Sequence, residues 1–349
     1  MNLIRHKDSL RGTTMKTFLS LFLFPLLFNE VVLAATRTSP PAGAIIVRAG
    51  TSSSAEFSTL ASAVASLPDD SSTQSIFIYP GLYSEQVDIT RPGPLTIYGY
   101  TTDSQSFSHN QVTIQAGVDA TSAGSDDASG TLRIHKNDFS MYNVNVKNTF
   151  GPGVQAIAIS QYGSRVGLYA CGFYGYQDTL YANEGTQVYL KSYIEGAVDF
   201  IFGRHGLAFF GGNTIAVAGP GCITASGRIT DDDGSYVFEN NEIILASDAV
   251  SGTADKVFFG RPWGEFAKVI FKHTNVTAPL NNALWSIWNP GDERISNVTL
   301  ADYESFGLGV QDADRPSFVT ELTDSEAATF DISSAVGSDW ATWVDASYL

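Results

Sequence analysis

Cysteine and positive charge are both scarce in this sequence. Cys171 and Cys222 are the only cysteines among 349 residues, too few for a disulfide scaffold. They form either one bridge or two small buried apolar side chains. Lys and Arg number 20 against 36 Asp and Glu, for a formal net charge of -16. Such a surface repels nucleic acid and anionic membranes, so we expect neither as a partner.

Strong helix formers are also few, since the chain has only three methionines and many Gly, Tyr and Phe residues. Apolar residues make up 44% of the chain, which is ample for a core. This balance favours an all-β domain with many turns. The length suits one large domain or two small ones.

Long apolar runs are confined to the N-terminus. Lys16 precedes an apolar run over residues 17–28, and a small-residue cleavage site follows. The run is too short and interrupted to span a bilayer, so residues 1–34 are predicted to be a signal peptide. Met15 is a possible true start. We therefore expect a secreted, extracellular mature chain over residues 35–349.

The mature chain carries a weak repeat. Apolar positions between Phe57 and Leu67 predict one short amphipathic helix. Short β-rich segments then recur at intervals of about 20 to 33 residues. Stacked coils of this kind bury a core that no single coil could bury. A parallel β-helix capped by the early helix is predicted. A β-sandwich is the rival, but its regular hairpin turns are not obvious.

The repeat fades after about residue 311. We expect this C-terminal tail to pack along the outside of the coils, as part of a single domain over residues 35–349.

Polar side chains recur at about one coil of spacing. Gln155 is followed by Gln177 and Asp178, and Asp199 comes 21 residues after Asp178. One residue per coil would form a column with neighbours about 4.8 Å apart. Two adjacent carboxyl groups cannot easily both ionise, which supplies an acid and a nucleophile or base. The structural alternatives are turn aspartates that bond the backbone and an ordinary amide ladder.

Asp199 lies in an apolar stretch, where an unpaired carboxylate would be costly. Arg261, in Gly-Arg-Pro-Trp, is the natural partner because a guanidinium can hold a carboxylate in a fixed orientation and keep it ionised. Trp263 beside it could stack on a sugar ring. The alternative is a rigid turn with a structural cation–π contact.

Three segments together resemble the pectin methylesterases, or pectinesterases, of the fungal or microbial type. They are Gln-Asp-Thr-Leu-Tyr from Gln177, Gly-Ala-Val-Asp-Phe-Ile-Phe-Gly from Gly196, and Gly-Arg-Pro-Trp from Gly260. The match runs from about residue 44 to about 310. The resemblance implies a single-stranded right-handed parallel β-helix. It also implies hydrolysis of galacturonate C6 methyl esters of pectin to pectate and methanol, in plant cell wall modification or degradation.

The resemblance also implies residue roles. Asp199 would be the nucleophile and Asp178 the general acid and then base. Gln177 and Gln155 would hydrogen-bond the oxyanion. The remaining implied residues orient Asp199 or line the sugar subsites: Arg261, Trp263 and Phe202. No metal or cofactor is implied.

Three other functions stay open from the residues. Polygalacturonases also use β-helices, and two carboxylates about 5 Å apart suit a retaining glycoside hydrolase, although the amides and Arg261 weigh against it. A polysaccharide lyase is less favoured, since no acidic cluster suggests a calcium site. A non-catalytic wall-binding protein would not need Asp178, Gln177 and Asp199 together. We expect a monomeric glycoprotein with sequons at Asn275 and Asn297.

Overall fold

The computed structural model describes Met1 and residues 35–349. The predicted signal peptide and the alternative start at Met15 lie outside the described residues. Among the residues that are described, no helix has the length and apolar character needed to span a bilayer.

The described residues form three sheets, whose strands we number β1 to β25 in chain order. Sheet 1 contains β1 Ile45–Val47, β2 Gln74–Ile78, β5 Leu95–Gly99, β8 Phe139–Tyr142, β11 Val166–Tyr169, β14 Glu184–Leu190, β17 His205–Gly211, β20 Ser235–Glu239, β23 Lys268–Lys272 and β25 Thr299–Tyr303. Sheet 2 contains β3 Gly81–Ser84, β6 Val112–Ala116, β9 Asn145–Asn148, β12 Gly172–Tyr174, β15 Tyr193–Gly196, β18 Thr214–Val217, β21 Glu242–Leu245 and β24 Asn275–Val276. Sheet 3 contains β4 Val87–Ile89, β7 Leu132–Ile134, β10 Ile159–Gln161, β13 Leu180–Ala182, β16 Ile201–Gly203, β19 Gly221–Ser226 and β22 Val257–Pro262.

From β2 to β22, each coil takes one strand from each sheet in turn, as β11, β12 and β13 do before β14 starts the next coil. Within the described chain, all pairings between these strands are parallel. Val166 lies opposite Phe139 and Gln187, so one coil adds 27 residues and the next 21. The parallel β-helix and the all-β class are confirmed, and the sandwich is excluded.

Stacked rings fill the core under sheet 1. Tyr189, Phe210, Phe238 and Phe271 are in register on β14, β17, β20 and β23. Their ring centroids are 4.7, 4.3 and 4.1 Å apart, with interplanar angles of 10° or less. Such offset aromatic contacts add to the burial of apolar area. The repeat therefore aligns because equivalent side chains of successive coils stack on one another.

A polar ladder follows the turn between sheets 1 and 2. The backbone N–H of Ser192 donates to Asn213 Oδ1 at 2.8 Å, and that of Asn213 donates to Asn241 Oδ1 at 2.9 Å. Asn241 Nδ2 donates in turn to the Phe210 carbonyl at 2.9 Å. All three ladder side chains are buried. They satisfy turn backbone groups that would otherwise be costly inside the fold.

Helix α1 spans Leu60–Ala65 and begins after the N-cap Thr59. The Glu85 carboxylate accepts the N–H groups of Leu60 and Ala61, at 2.8 and 2.9 Å. Leu60 and Ala63 are buried in the same core as the coils. The predicted helix is present, and its role as an N-terminal cap stays a prediction. The other short helices are α2 Ala120–Ala123, α3 Asp126–Ser129, α4 Asp324–Ala327, α5 Ile332–Val336 and the 3₁₀ turns Phe107–His109, Trp340–Thr342 and Ala346–Tyr348.

The C-terminal tail covers the outer face of sheet 1. Val336 and Tyr348 pack in one apolar cluster with Tyr169 and Val188 of the sheet. The Tyr169 hydroxyl accepts the Asp345 N–H at 3.0 Å. The tail is therefore held by apolar contacts and hydrogen bonds along the coils.

Both cysteines are free and buried. Burial raises the pKa of the Cys171 thiol to about 12. Of the two sequence alternatives, the structure has the small buried side chains rather than a disulfide.

Truncating the middle of the ring stack should be costly. Phe238→Ala is expected to lower the free energy of unfolding by about 3–5 kcal/mol, because it removes buried area and leaves a cavity. Chemical denaturation followed by tryptophan fluorescence measures the change. The control Phe306→Ala alters a side chain that is 56% exposed and should change stability by less than about 0.5 kcal/mol. Equal losses in the two variants would contradict a stabilising role of the stack.

Candidate active site

The outer face of sheet 3 forms the floor of a cleft. Tyr181, Phe202, Ala225 and Arg261 occupy equivalent positions on β13, β16, β19 and β22. Since side chains alternate along a strand, these four residues point away from the core. The Tyr181 and Phe202 rings stack at 4.4 Å with an interplanar angle of 7°.

A cleft of about 280 Å³ lies over this floor. Its lining residues are Asp126, Gln155, Gln177, Asp178, Asp199, Phe202, Ala225, Arg261, Trp263 and Trp288. The structure thus brings all seven site residues suggested by the sequence into one place.

Asp178 and Asp199 occupy the same turn of successive coils, just before β13 and β16. The backbone N–H of Asp178 donates to the Val198 carbonyl at 3.0 Å, and Leu180 lies opposite Ile201. Both aspartates have left-handed backbone conformations, with φ of 64° and 50°. Few residue types besides Gly, Asn and Asp tolerate this region well. The turn geometry therefore places two carboxyl groups side by side.

The expected column is wrong at Gln155. Because the Ala156 N–H donates to the Gln177 carbonyl at 3.1 Å, Gln155 falls opposite Gln177 rather than Asp178. Its coil differs in length from the next because a longer loop, residues 149–158, connects β9 to β10. Gln155 lines the cleft from this loop, so it shares the site without sharing the register.

Arg261 holds Asp199 with both arms of its guanidinium. Nε donates to Oδ1 at 2.9 Å, and the terminal nitrogen Nη2 donates to Oδ2 at 2.6 Å. The remaining terminal nitrogen Nη1 donates to the Trp288 carbonyl at 3.3 Å. The guanidinium also lies 4.3 Å from the Trp288 ring centroid. A bidentate pair of this kind fixes the orientation of a carboxylate and favours its charged form.

The two carboxyl groups therefore have different environments. Burial raises the pKa of Asp178 well above its usual range, and the charges of Asp199 and Asp126 add to this effect. Burial also raises the pKa of Asp199, but the hydrogen bonds and charge of Arg261 oppose burial there. Asp199 is thus the group that ionises first. We therefore expect the pair to consist of an Asp199 carboxylate and a protonated Asp178 over an intermediate pH range.

Two amide side chains face the same cleft. Among the described residues, no protein group hydrogen-bonds the side-chain amide of Gln155 or Gln177, and both are half-buried. Their N–H groups are therefore available to a ligand.

Trp263 is positioned by contacts on several sides. The Arg204 guanidinium lies 3.9 Å from its ring centroid, and its ring is 6.1 Å from that of Phe202. At Gly227, an added Cβ would come within 2.3 Å of the indole, so any larger residue there would displace the ring. Arg204 already covers one ring face, so a sugar would meet only the part of the indole that lines the cleft.

Comparison with known proteins agrees with this geometry. The family model Pectinesterase matches residues 45–339. The chain belongs to the pectinesterase family. A pectinesterase of Aspergillus niger is 40% identical over 94% of this chain and 98% of its own length. One from Aspergillus aculeatus is 39% identical over 93% and 97%. The resemblance seen in the sequence is confirmed.

Solved pectinesterase structures match as well. The crystal structure of the Aspergillus niger pectin methylesterase has a TM-score of 0.83 and 37% identity, over 90% of this chain and all of that one. Pectin methylesterase PemA from Erwinia chrysanthemi has a TM-score of 0.70 and 26% identity, over 87% and 98%. The family places the chain among carboxylic ester hydrolases.

Two cleft residues of this pectinesterase were missed from the sequence. Asp126 begins the short helix α3, and Trp288 follows the last coil of sheet 3. Neither falls in the repeat, and their loops carry no fixed spacing to Asp178 or Asp199. The described residues contain no group of three His, Cys, Asp or Glu side chains suited to a metal ion.

Neutralising Asp178 should stabilise the fold at neutral pH. A carboxyl group whose pKa is raised in the folded state stabilises the fold at low pH. The fold loses this contribution as pH rises through the raised pKa. Asp178→Asn removes the ionisation, so its free energy of unfolding should exceed the wild-type value at pH 7 and match it near pH 3. Urea denaturation across this pH range measures the difference.

Asp138→Asn is the matched control, since Asp138 has a similar φ of 55°. Its hydrogen-bonded partner Arg165 holds the pKa of that carboxyl below its usual range, so this variant should lose stability at pH 7. A loss in both variants would contradict the inferred protonation of Asp178.

Proposed function

We propose that the chain hydrolyses the C6 methyl esters of galacturonate in pectin, giving pectate and methanol. The pair Asp178 and Asp199 carries the proposal, because only Asp199 is held by a guanidinium. One side chain is thereby a carboxylate and the other an acid in the same cleft. This is the protonation state that a nucleophilic ester hydrolysis needs.

In the first step, an Asp199 carboxylate oxygen attacks the ester carbonyl carbon. The carbonyl electron pair moves to oxygen and forms a tetrahedral oxyanion. The amide N–H groups of Gln177 and Gln155 donate hydrogen bonds to this oxygen, where charge develops. The bond to the methoxy oxygen then breaks, and Asp178 gives its proton to the departing methanol. The product of this step is an acyl anhydride with Asp199.

In the second step, the Asp178 carboxylate takes a proton from water. The resulting hydroxide equivalent attacks the acyl carbon, and the bond to Asp199 breaks. The galacturonate carboxyl group leaves and releases the remaining water proton to solvent. Asp199 is again a carboxylate, and Asp178 is again protonated. Arg261 acts throughout by fixing the Asp199 oxygens and stabilising their charge.

Phe202 and Trp263 provide the apolar surface for the sugar rings. Phe202 belongs to the aromatic floor on sheet 3, and Trp263 lines the same cleft. A methyl-esterified chain carries little charge, so it can approach a protein with a formal net charge of -16.

A glycoside hydrolase that cuts the pectin backbone is the second candidate function. Two neighbouring carboxyl groups favour it, because a retaining mechanism uses such a pair. The unpartnered amides at Gln155 and Gln177 favour the esterase, since an oxyanion needs donors.

We further propose that the mature chain acts outside the cell as a monomer on plant cell wall pectin. The predicted signal peptide supports secretion. Asn297 is exposed and Asn275 half-buried in β24, so Asn297 is the more accessible sequon.

The assay compares methanol with new reducing ends on highly methylated pectin. We expect methanol without new reducing ends from the mature chain. Asp199→Asn should lower the rate of methanol release by about a thousandfold or more, because the nucleophile is lost. Asp138→Asn serves as a control, since that carboxyl lies outside the cleft. New reducing ends without methanol would make the chain a backbone hydrolase instead.

A further inference from the structure

Asp126 places a third carboxyl group in the cleft. It is half-buried at the start of α3 and lines the same space as Asp178 and Asp199. Among the described residues, its carboxyl group has no hydrogen bond and no ion pair within 4 Å. A partly buried, unpaired carboxylate is costly, so its place in the cleft calls for a role.

The adjacent Asp127 shows that an unpaired carboxyl group is not a general property of this helix. The Ser160 hydroxyl donates to Asp127 at 2.7 Å, His135 Nε2 lies at 3.1 Å and Arg133 at 3.9 Å. Asp127 is therefore fully engaged outside the cleft. Asp126 and Asp127 carry the same charge on one helical turn but have different neighbours.

The charges around Asp178 leave Asp126 as the uncompensated one. Besides burial, the charges of Asp199 and Asp126 raise the pKa of Asp178, and the charge of Arg261 lowers it. The Asp199 carboxylate has the Arg261 guanidinium bound to both of its oxygens, whereas Asp126 has no such partner among the described residues. Burial raises the pKa of Asp126, and the charge of Arg204 opposes this effect. Arg204 lies over Trp263 rather than in an ion pair with that carboxyl group.

Two tyrosines complete the surroundings of Asp126. Besides burial, the charge of Asp126 raises the pKa of the Tyr162 and Tyr181 hydroxyls. Burial raises the pKa of each of these hydroxyls, so they stay neutral in the working pH range and add no charge to the cleft.

We propose that Asp126 is a positioning residue for the reaction, whose carboxylate keeps the acid proton on Asp178 in the free enzyme. A negative charge on Asp126 makes a second charge on Asp178 unfavourable. The proton needed by departing methanol is therefore retained to higher pH. This inference rests on the proposed function in one respect, the role of Asp178 as the acid.

The pH profile of kcat/KM for methanol release tests the proposal. Its descending limb reports loss of the Asp178 proton, and its ascending limb reports ionisation of Asp199. In Asp126→Asn the descending limb should move to lower pH by about one unit. Asp126→Glu should restore the wild-type limb. Asp127→Asn removes the same charge one residue away and should leave the descending limb in place.

Two results would overturn the proposal. An unchanged descending limb in Asp126→Asn would show that its charge does not act on Asp178. Equal shifts in Asp126→Asn and Asp127→Asn would assign the effect to net charge alone. A merely structural role for Asp126 would lower the rate at all pH values without moving the limb.

A carboxyl titration by ¹³C NMR separates this inference from the proposed function. If the wild type releases no methanol, the proposed function fails, yet the Asp178 titration can still be compared between wild type and Asp126→Asn. The midpoint should again fall by about one pH unit in the variant. Should the variant not fold, the wild-type Asp178 resonance must show a second inflection from Asp126, and its absence would overturn the inference.

Discussion

The bidentate ion pair between Arg261 and Asp199 is the interaction on which the chemistry of this protein depends. Asp178 and Asp199 have the same side chain, the same turn position and nearly the same burial. A fork of two hydrogen bonds at 2.9 and 2.6 Å reaches only one of them. The pair is therefore asymmetric, and the asymmetry is what turns two carboxyl groups into a nucleophile and an acid.

The stacking of the coils brings Arg261 and Asp199 together. Arg261 lies on β22 and Asp199 just before β16, two coils away, so their meeting depends on the alignment of sheet 3. That alignment is held by the ring stack under sheet 1 and by the polar ladder at the turn between sheets 1 and 2. Burying charged groups in the cleft lowers stability, and the packing of the same coils elsewhere offsets this loss.

The sequence predicts the architecture and most of the cleft for a clear physical reason. Equivalent residues of stacked coils meet, so a spacing of 21 residues between Asp178 and Asp199 translates directly into proximity. The same reasoning misplaces Gln155, because the loop between β9 and β10 makes its coil longer. It does not find Asp126 or Trp288, since loops outside the repeat have no spacing that fixes where they return. The pairing of Arg261 with Asp199 is predicted from the apolar neighbours of Asp199, and the structure contains that pair.

A site-resolved titration of the Asp178 and Asp199 carboxyl carbons in the wild-type chain measures whether Arg261 distinguishes the two carboxyl groups. If Arg261 sets the roles, the Asp199 resonance changes at lower pH than that of Asp178, and a pH interval exists in which only Asp199 is ionised. If Asp178 ionises first, or if both change together, the ion pair does not distinguish the two carboxyl groups and the account is contradicted.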